Sequence, residues 1–162
     1  MFGLHFLLTV GLSLSSLTLG APTDANCTRE SLEAAVADLL TAQTTGSSAA
    51  IKALSPSVTY TQNDKAGTIS AGILASPLKI DHNRSEYDTT ACATYSELIV
   101  ADKAKPYVIG TQMRFTGDQI TKVQTLVTTT GDWLFNVTGT LYWSSRENVR
   151  AESNPVLNRK RN

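Results

Sequence analysis

Beyond Pro77 the chain alternates apolar and polar residues in strand-length segments, each closed by a turn signal. Strand candidates cover 78–87, 92–101, 107–116, 120–130 and 133–143, separated by Asp88-Thr89-Thr90, the 102–106 stretch, Gly117-Asp118 and Gly131-Asp132. Such short connections favour antiparallel pairing, because a parallel pair needs a long crossover. A long sheet of this kind must bury one face, so the rest of the chain has to cover it.

The cover comes from the amino-terminal third. Thr28 is positioned to cap a helix reaching about Thr45. Leu32, Ala35, Val36, Leu39 and Leu40 recur at three- and four-residue steps, with Glu30 and Glu33 in the first turn and Gly46 as a stop. A short second helix is expected over 48–54, ended by Pro56. Val58-Thr59-Tyr60-Thr61 is a β-type run, 63–67 is turn-like, and 69–74 fits one helical turn. The expected fold class is α+β, with N-terminal helices packed on the concave face of a curled antiparallel β-sheet.

Residues 1–20 read as a secretory signal: Phe2 to Leu19 is apolar with scattered hydroxyls and no formal charge, and small residues precede Ala21. A membrane anchor fits less well, since the stretch is short and lacks basic flanks. Residues 21–145 then form one domain. Residues 146–162 form a tail in which five basic residues outnumber two acidic ones. Its Asn, Pro and Ser content favours a disordered end over a nucleic-acid or membrane contact. The whole chain is balanced, with 14 basic and 14 acidic residues, which argues against a polyanion partner. No stable membrane insertion is expected of the mature protein.

Two cysteines remain, Cys27 and Cys92. In an oxidising compartment an even count suggests a bridge, with two buried thiols as the alternative. A bridge would close a long loop and stabilise the fold by about 4 kcal/mol on the chain-entropy account. Asn26, Asn83 and Asn136 each open an Asn-x-Ser/Thr glycosylation sequence.

Strand alternation nominates a site. Leu78, Ile80, His82 and Arg84 share one face; Lys79, Asp81, Asn83 and Ser85 share the other. If Asn83 carries a glycan its face is wet, which turns His82 and Arg84 inward. A buried Arg84 needs an acid, with Glu86, Asp88 and Glu97 as candidates, or else a polar pocket. The bland reading makes His82 a hydrogen-bonded core imidazole and Arg84 a structural ion pair. The functional reading makes His82 an acid–base group and Arg84 the stabiliser of a developing enolate or carboxylate. In the last strand Trp133, Phe135, Val137, Leu141 and Trp143 are expected inward. With Tyr60, Trp133 and Phe135 are the aromatic candidates for a binding wall. Tyr107, Ile109, Thr111, Met113 and Phe115 read as core. The sequence shows no metal-ligand spacing, no nucleophile elbow and no phosphate or dinucleotide loop, so neither a metal nor a cofactor is expected.

Several strings resemble a family of secreted filamentous-fungal proteins with SnoaL-like, nuclear-transport-factor-like cone domains. They are Cys27-Thr28-Arg29, the run from Leu78 to Ser85, Asp88-Thr89-Thr90 with Cys92, Glu97 to Val100, Pro106 to Arg114, and Gly131 to Asn136. The match covers about 27–146, and the chain resembles the N-terminal half of such proteins, whose members continue past the Trp143 region into a second segment of similar kind. The resemblance implies a curled sheet closed by helices around a cavity. Cones of this type host cyclases, isomerases, dehydratases and non-catalytic binders, so fold does not decide function. Three functions stay open: a binder of a small, partly apolar or carbonyl-bearing molecule; a cofactor-free isomerase or cyclase of fungal secondary metabolism; and a secreted interaction protein or effector without a ligand site.

Overall fold

The computed structural model describes residues 27–147. The proposed signal segment, Asn26 and most of the basic tail lie outside them. Helix α1 (Arg29–Thr45) begins where Thr28 accepts a hydrogen bond from the Ser31 N–H and ends at Gly46, whose left-handed φ of 69° turns the chain so that the Ser47 N–H also reaches the Ala42 carbonyl, at 3.0 Å. A side chain at Gly46 would also strike Pro77. Leu32, Ala35, Val36, Leu39, Ala42 and Gln43 form the buried stripe.

A 3-10 turn at Ser48–Ala50 replaces the expected second helix, and β1 (Leu54–Gln62) starts at once. Pro56 sits inside β1, in the stretch where the pairing register shifts between Leu54 and Thr59. A proline lacking an N–H is tolerated at such an irregularity, so it marks a break in the ladder and no helix end. Asn63 and Asp64, both at positive φ, make the two-residue turn into β2 (Lys65–Gly67). A second 3-10 turn, Ile73–Ala75, precedes β3 (His82–Asp88), β4 (Ala93–Val100), β5 (Tyr107–Thr116) and β6 (Gln119–Thr129).

The strands form one six-stranded sheet in the order β2-β1-β6-β5-β4-β3. β3 to β6 is the expected antiparallel meander, but β1 runs parallel to β6, so the sheet is mixed. The long path from β2 to the far edge at β3 allows this parallel pairing.

The segment 133–143 is not a strand. Gly131 and Leu134 adopt positive φ, Asn136 accepts a hydrogen bond from the Gly139 N–H, and helix α2 (Val137–Ser144) follows. Trp133 and Trp143, expected inside, are 91% and 65% exposed. The same residues support a two-residue alternation and a helical spacing of Val137, Leu141 and Ser144; the Asn136 cap selects the helix.

α1 covers the sheet face that carries Leu98, Val100, Ile109, Met113 and Val123, all at most 1% exposed. In register with them, a row of hydroxyls crosses four strands: Ser85 pairs with Ser96, Ser96 with Thr111, and Thr111 with Thr125. The hydroxyls of Ser85 and Ser96 lie 2.8 Å apart and those of Thr111 and Thr125 3.3 Å apart. This row separates two apolar clusters, one around Leu39, Met113 and Val123, the other around Leu78, Leu98 and Ile109.

Candidate functional site

Directly paired residues on antiparallel strands share a face, so the ladder settles where the nominated pair points. His82 lies opposite Ile99 and Arg84 opposite Glu97, whereas Asn83 pairs with Leu98 and Tyr87 with Thr94. Leu98 faces α1. His82 and Arg84 therefore lie on the opposite face, and the expected strand phase is reversed. Asn83 is still exposed because β3 is an edge strand. Wetness at an edge does not identify the outer face, so an exposed Asn83 does not turn His82 and Arg84 inward.

On this second face α2 lies against β4 and β5. Ile99 is fully buried there. Arg84 Nε stands 3.3 Å from Glu97 Oε1, and its Nη1 donates to Glu147 just beyond α2. The Ser144 hydroxyl donates to the same Glu97 oxygen at 3.0 Å. The hydrogen bond from Arg84 to Glu147 is the main reason its guanidinium is held above the ordinary arginine range; burial opposes it, and the charges of Glu97 and Glu147 add to it. The guanidinium is thus matched by two carboxylates and holds the end of α2 on the sheet. Glu97 was among the expected partners; Glu147 was not. His82 Nε2 is buried with no hydrogen-bond partner among the described residues.

The aromatic candidates are not brought to one place. Tyr60 is a core residue, 5% exposed. It packs with α1 and donates from its hydroxyl to Gln62 Oε1 at 2.8 Å, an oxygen that also accepts the Ile73 N–H. Burial raises its phenol pKa, against lowering by hydrogen bonding with Thr125 and Ile73. Trp133 projects into solvent and Phe135 is half-buried in the loop before α2. Asn136 is exposed and caps α2.

A groove that none of these residues lines opens between α1 and the β5–β6 end of the sheet. It has about 270 Å³, with Ala34, Ala35, Ala53 and Phe115 supplying apolar walls and Asp38, Lys52 and Asp118 charged ones. The disulfide Cys27–Cys92 ties the start of α1 to the β3–β4 turn, and Cys92 forms part of the wall. Lys52 Nζ lies 2.7 Å from Asp38 Oδ1, and the Lys52 N–H donates to Oδ2 at 3.1 Å. Burial alone raises the Asp38 pKa, but hydrogen bonds from the Lys52 side chain and backbone, with the ammonium charge, outweigh it and leave the carboxyl below its ordinary value. Asp38 stays ionised while the 84%-exposed Lys52 side chain reaches into water. The sequence held one clue to this groove: Ala34 and Ala35 are adjacent small residues in the first half of α1, the second buried and the first exposed. The pairing of Asp38 with Lys52 depends on the turn after α1 and could not be read from spacing.

No helix among the described residues is long and apolar enough to cross a membrane. No protein-family profile matches the chain, and no curated protein matches it. Among solved structures, AclR from Streptomyces galilaeus aligns at 11% identity and a TM-score of 0.45, over 62% of this chain and 91% of its own. An NTF-2 like protein of unknown function from Burkholderia xenovorans LB400 aligns at 11% identity and a TM-score of 0.46, over 70% of this chain and 93% of its own. At this level of likeness neither protein's activity transfers, and the description that stands is an α+β chain with helices packed on a curled six-stranded sheet.

Proposed function

We propose that this is a secreted binding protein that takes a small, partly apolar molecule in the groove beside α1. The observation that carries the reading is the groove itself, an alanine- and phenylalanine-walled depression with the Asp38–Lys52 ion pair on one side. Apolar walls with few, placed polar groups suit a compact ligand bearing one polar end, and with Lys52 paired to Asp38 and Asp118 beside them that end is an uncharged carbonyl. The volume is near the lower limit of ligand sites, so the ligand is small. The disulfide beside the groove fits an oxidising, extracellular setting, the expected signal segment fits export, and exposed Asn83 and Asn136 fit glycan attachment.

The isomerase or cyclase alternative gave His82 and Arg84 the acid–base and charge-stabilising roles. It draws less support, because Arg84 is neutralised by Glu97 and Glu147 and neither residue lines the groove. The interaction-protein alternative is favoured by one observation: Trp133, Leu134, Tyr142 and Trp143 are all at least 49% exposed, more apolar surface than a lone domain needs.

A fragment screen by amide NMR tests the groove. Fragments with an aliphatic or aromatic body and a carbonyl group should shift the amides of Ala34, Ala53 and Phe115. Ala34→Trp, which fills the groove from an exposed helix position, should abolish those shifts without unfolding the protein. Hits that cluster around His82, or that survive Ala34→Trp, would reject the assignment.

A further inference from the structure

The half of the second sheet face that α2 leaves open carries a different kind of site. Tyr95 points out from β4, but its ring does not stand up from the sheet. It leans over Gly110 on β5: a Cβ there would lie 2.6 Å from the phenol oxygen and 3.3 Å from two ring carbons. Only a glycine permits this approach, which lays the ring along the sheet at 45% exposure for the residue. A depression opens on each side of the ring, of about 300 Å³ toward β3 and about 270 Å³ toward β6 and β1. Gln112, directly opposite Tyr95, borders both. Its Oε1 accepts from Arg114 Nε at 3.2 Å, which orients the amide. Gln124 continues the row on β6.

The geometry points to a binding site for a neutral oligosaccharide, with Tyr95 as the platform under one sugar ring and Gln112 and Gln124 as hydrogen-bonding partners of its hydroxyls. An exposed aromatic face covers the C–H side of a pyranose, and side-chain amides both donate to and accept from hydroxyl pairs. From Glu86 on β3 to Thr61 on β1 the trough crosses four strand spacings, about 19 Å, enough for several sugar units. Other ligand classes fit worse. The trough lies open along the sheet and encloses no apolar molecule, and Glu86, Asp88, Gln112, Arg114 and Gln124 line it. Along its walls the carboxylates of Asp64, Glu86 and Asp88 outnumber the Arg114 guanidinium, which opposes a polyanion. This site is separate from the groove beside α1, and neither reading depends on the other.

The test titrates the mature protein with cellohexaose, laminarihexaose, chitohexaose and mannohexaose at millimolar concentration, with heparin as the polyanionic control, read by amide NMR. At least one neutral hexasaccharide should shift the Tyr95, Gly110, Gln112 and Gln124 amides. Tyr95→Ala should weaken that binding by about tenfold or more, while Tyr95→Phe keeps it within about threefold. Gln124→Ala, at a position facing away from α1, provides the second readout should Tyr95→Ala fail to fold, and should also weaken binding. The assignment is overturned if none of the four sugars binds, if only heparin binds, if the shifts fall on the α1 groove, or if binding is unchanged in whichever of Tyr95→Ala and Gln124→Ala folds.

Discussion

The two faces of the sheet are made by the same strands and behave as different materials. Under α1, Leu98, Ile109, Met113 and Val123 have no exposure, and even the hydroxyls of Ser96, Thr111 and Thr125 are sealed in. On the other face burial is patchy: Ile99 is dry where α2 is held by the Arg84, Glu97, Ser144 and Glu147 contacts, and Ala93 is dry at the far end of β4, but Tyr95 and Leu126 face water. Burial therefore follows which helix arrives and how it is anchored, and the strand sequences alone do not fix it. A side chain's phase says which neighbours it shares, and the cover decides whether that company is core or solvent.

The contrast is sharpest for matched leucines. Leu98→Ala, on the α1 face, should cost about 2–5 kcal/mol in denaturant unfolding, whereas Leu126→Ala on the open face should stay within about 0.5 kcal/mol. Comparable losses would erase the distinction. Gln43 offers a smaller test on the sealed side. Its buried amide donates to the carbonyls of Ile73 and Ser76, each at 3.0 Å, so Gln43→Ala should cost about 1–3 kcal/mol by removing both bonds, although the Ile73 carbonyl keeps the Ser76 N–H.

The smallest effect is a pH dependence at the rim of the groove. Asp38 is held below its ordinary pKa in the fold, so its pairing with Lys52 stabilises the protein above the unfolded carboxyl pKa and is lost as the pH falls through the folded value. Asp38→Asn should thus be less stable than the parent at neutral pH, by at most about 1 kcal/mol given the exposed lysine, and equal to it in acid. A gap that persists in acid would assign the effect to packing.

Much of the architecture was legible in the sequence. β5 occupies the expected residues because strict alternation runs between two clear turns, and α1 is fixed by the Thr28 cap and the Gly46 stop. The bridge between Cys27 and Cys92 followed from an even count. Three features were not legible. Pro56 reads as a helix stop and lies inside β1, where the pairing register shifts. The stretch from Trp133 fits two periodicities, and a single cap decides between them. The phase of β3 was inferred from the wetness of Asn83, which an edge strand provides on either side. The site suffered most from this, since the groove and the Tyr95 trough are assembled from residues far apart in the chain whose neighbours are set by register.

Native-state hydrogen exchange on Arg84→Ala tests most directly whether the nominated pair belongs to the anchoring of α2 and not to the interior under α1. Amides of α2 should exchange about fivefold faster, the opening cost lost with a partly exposed ion pair, while those of α1 keep their protection. Faster exchange in α1 with α2 unchanged would contradict the account and return Arg84 to the core.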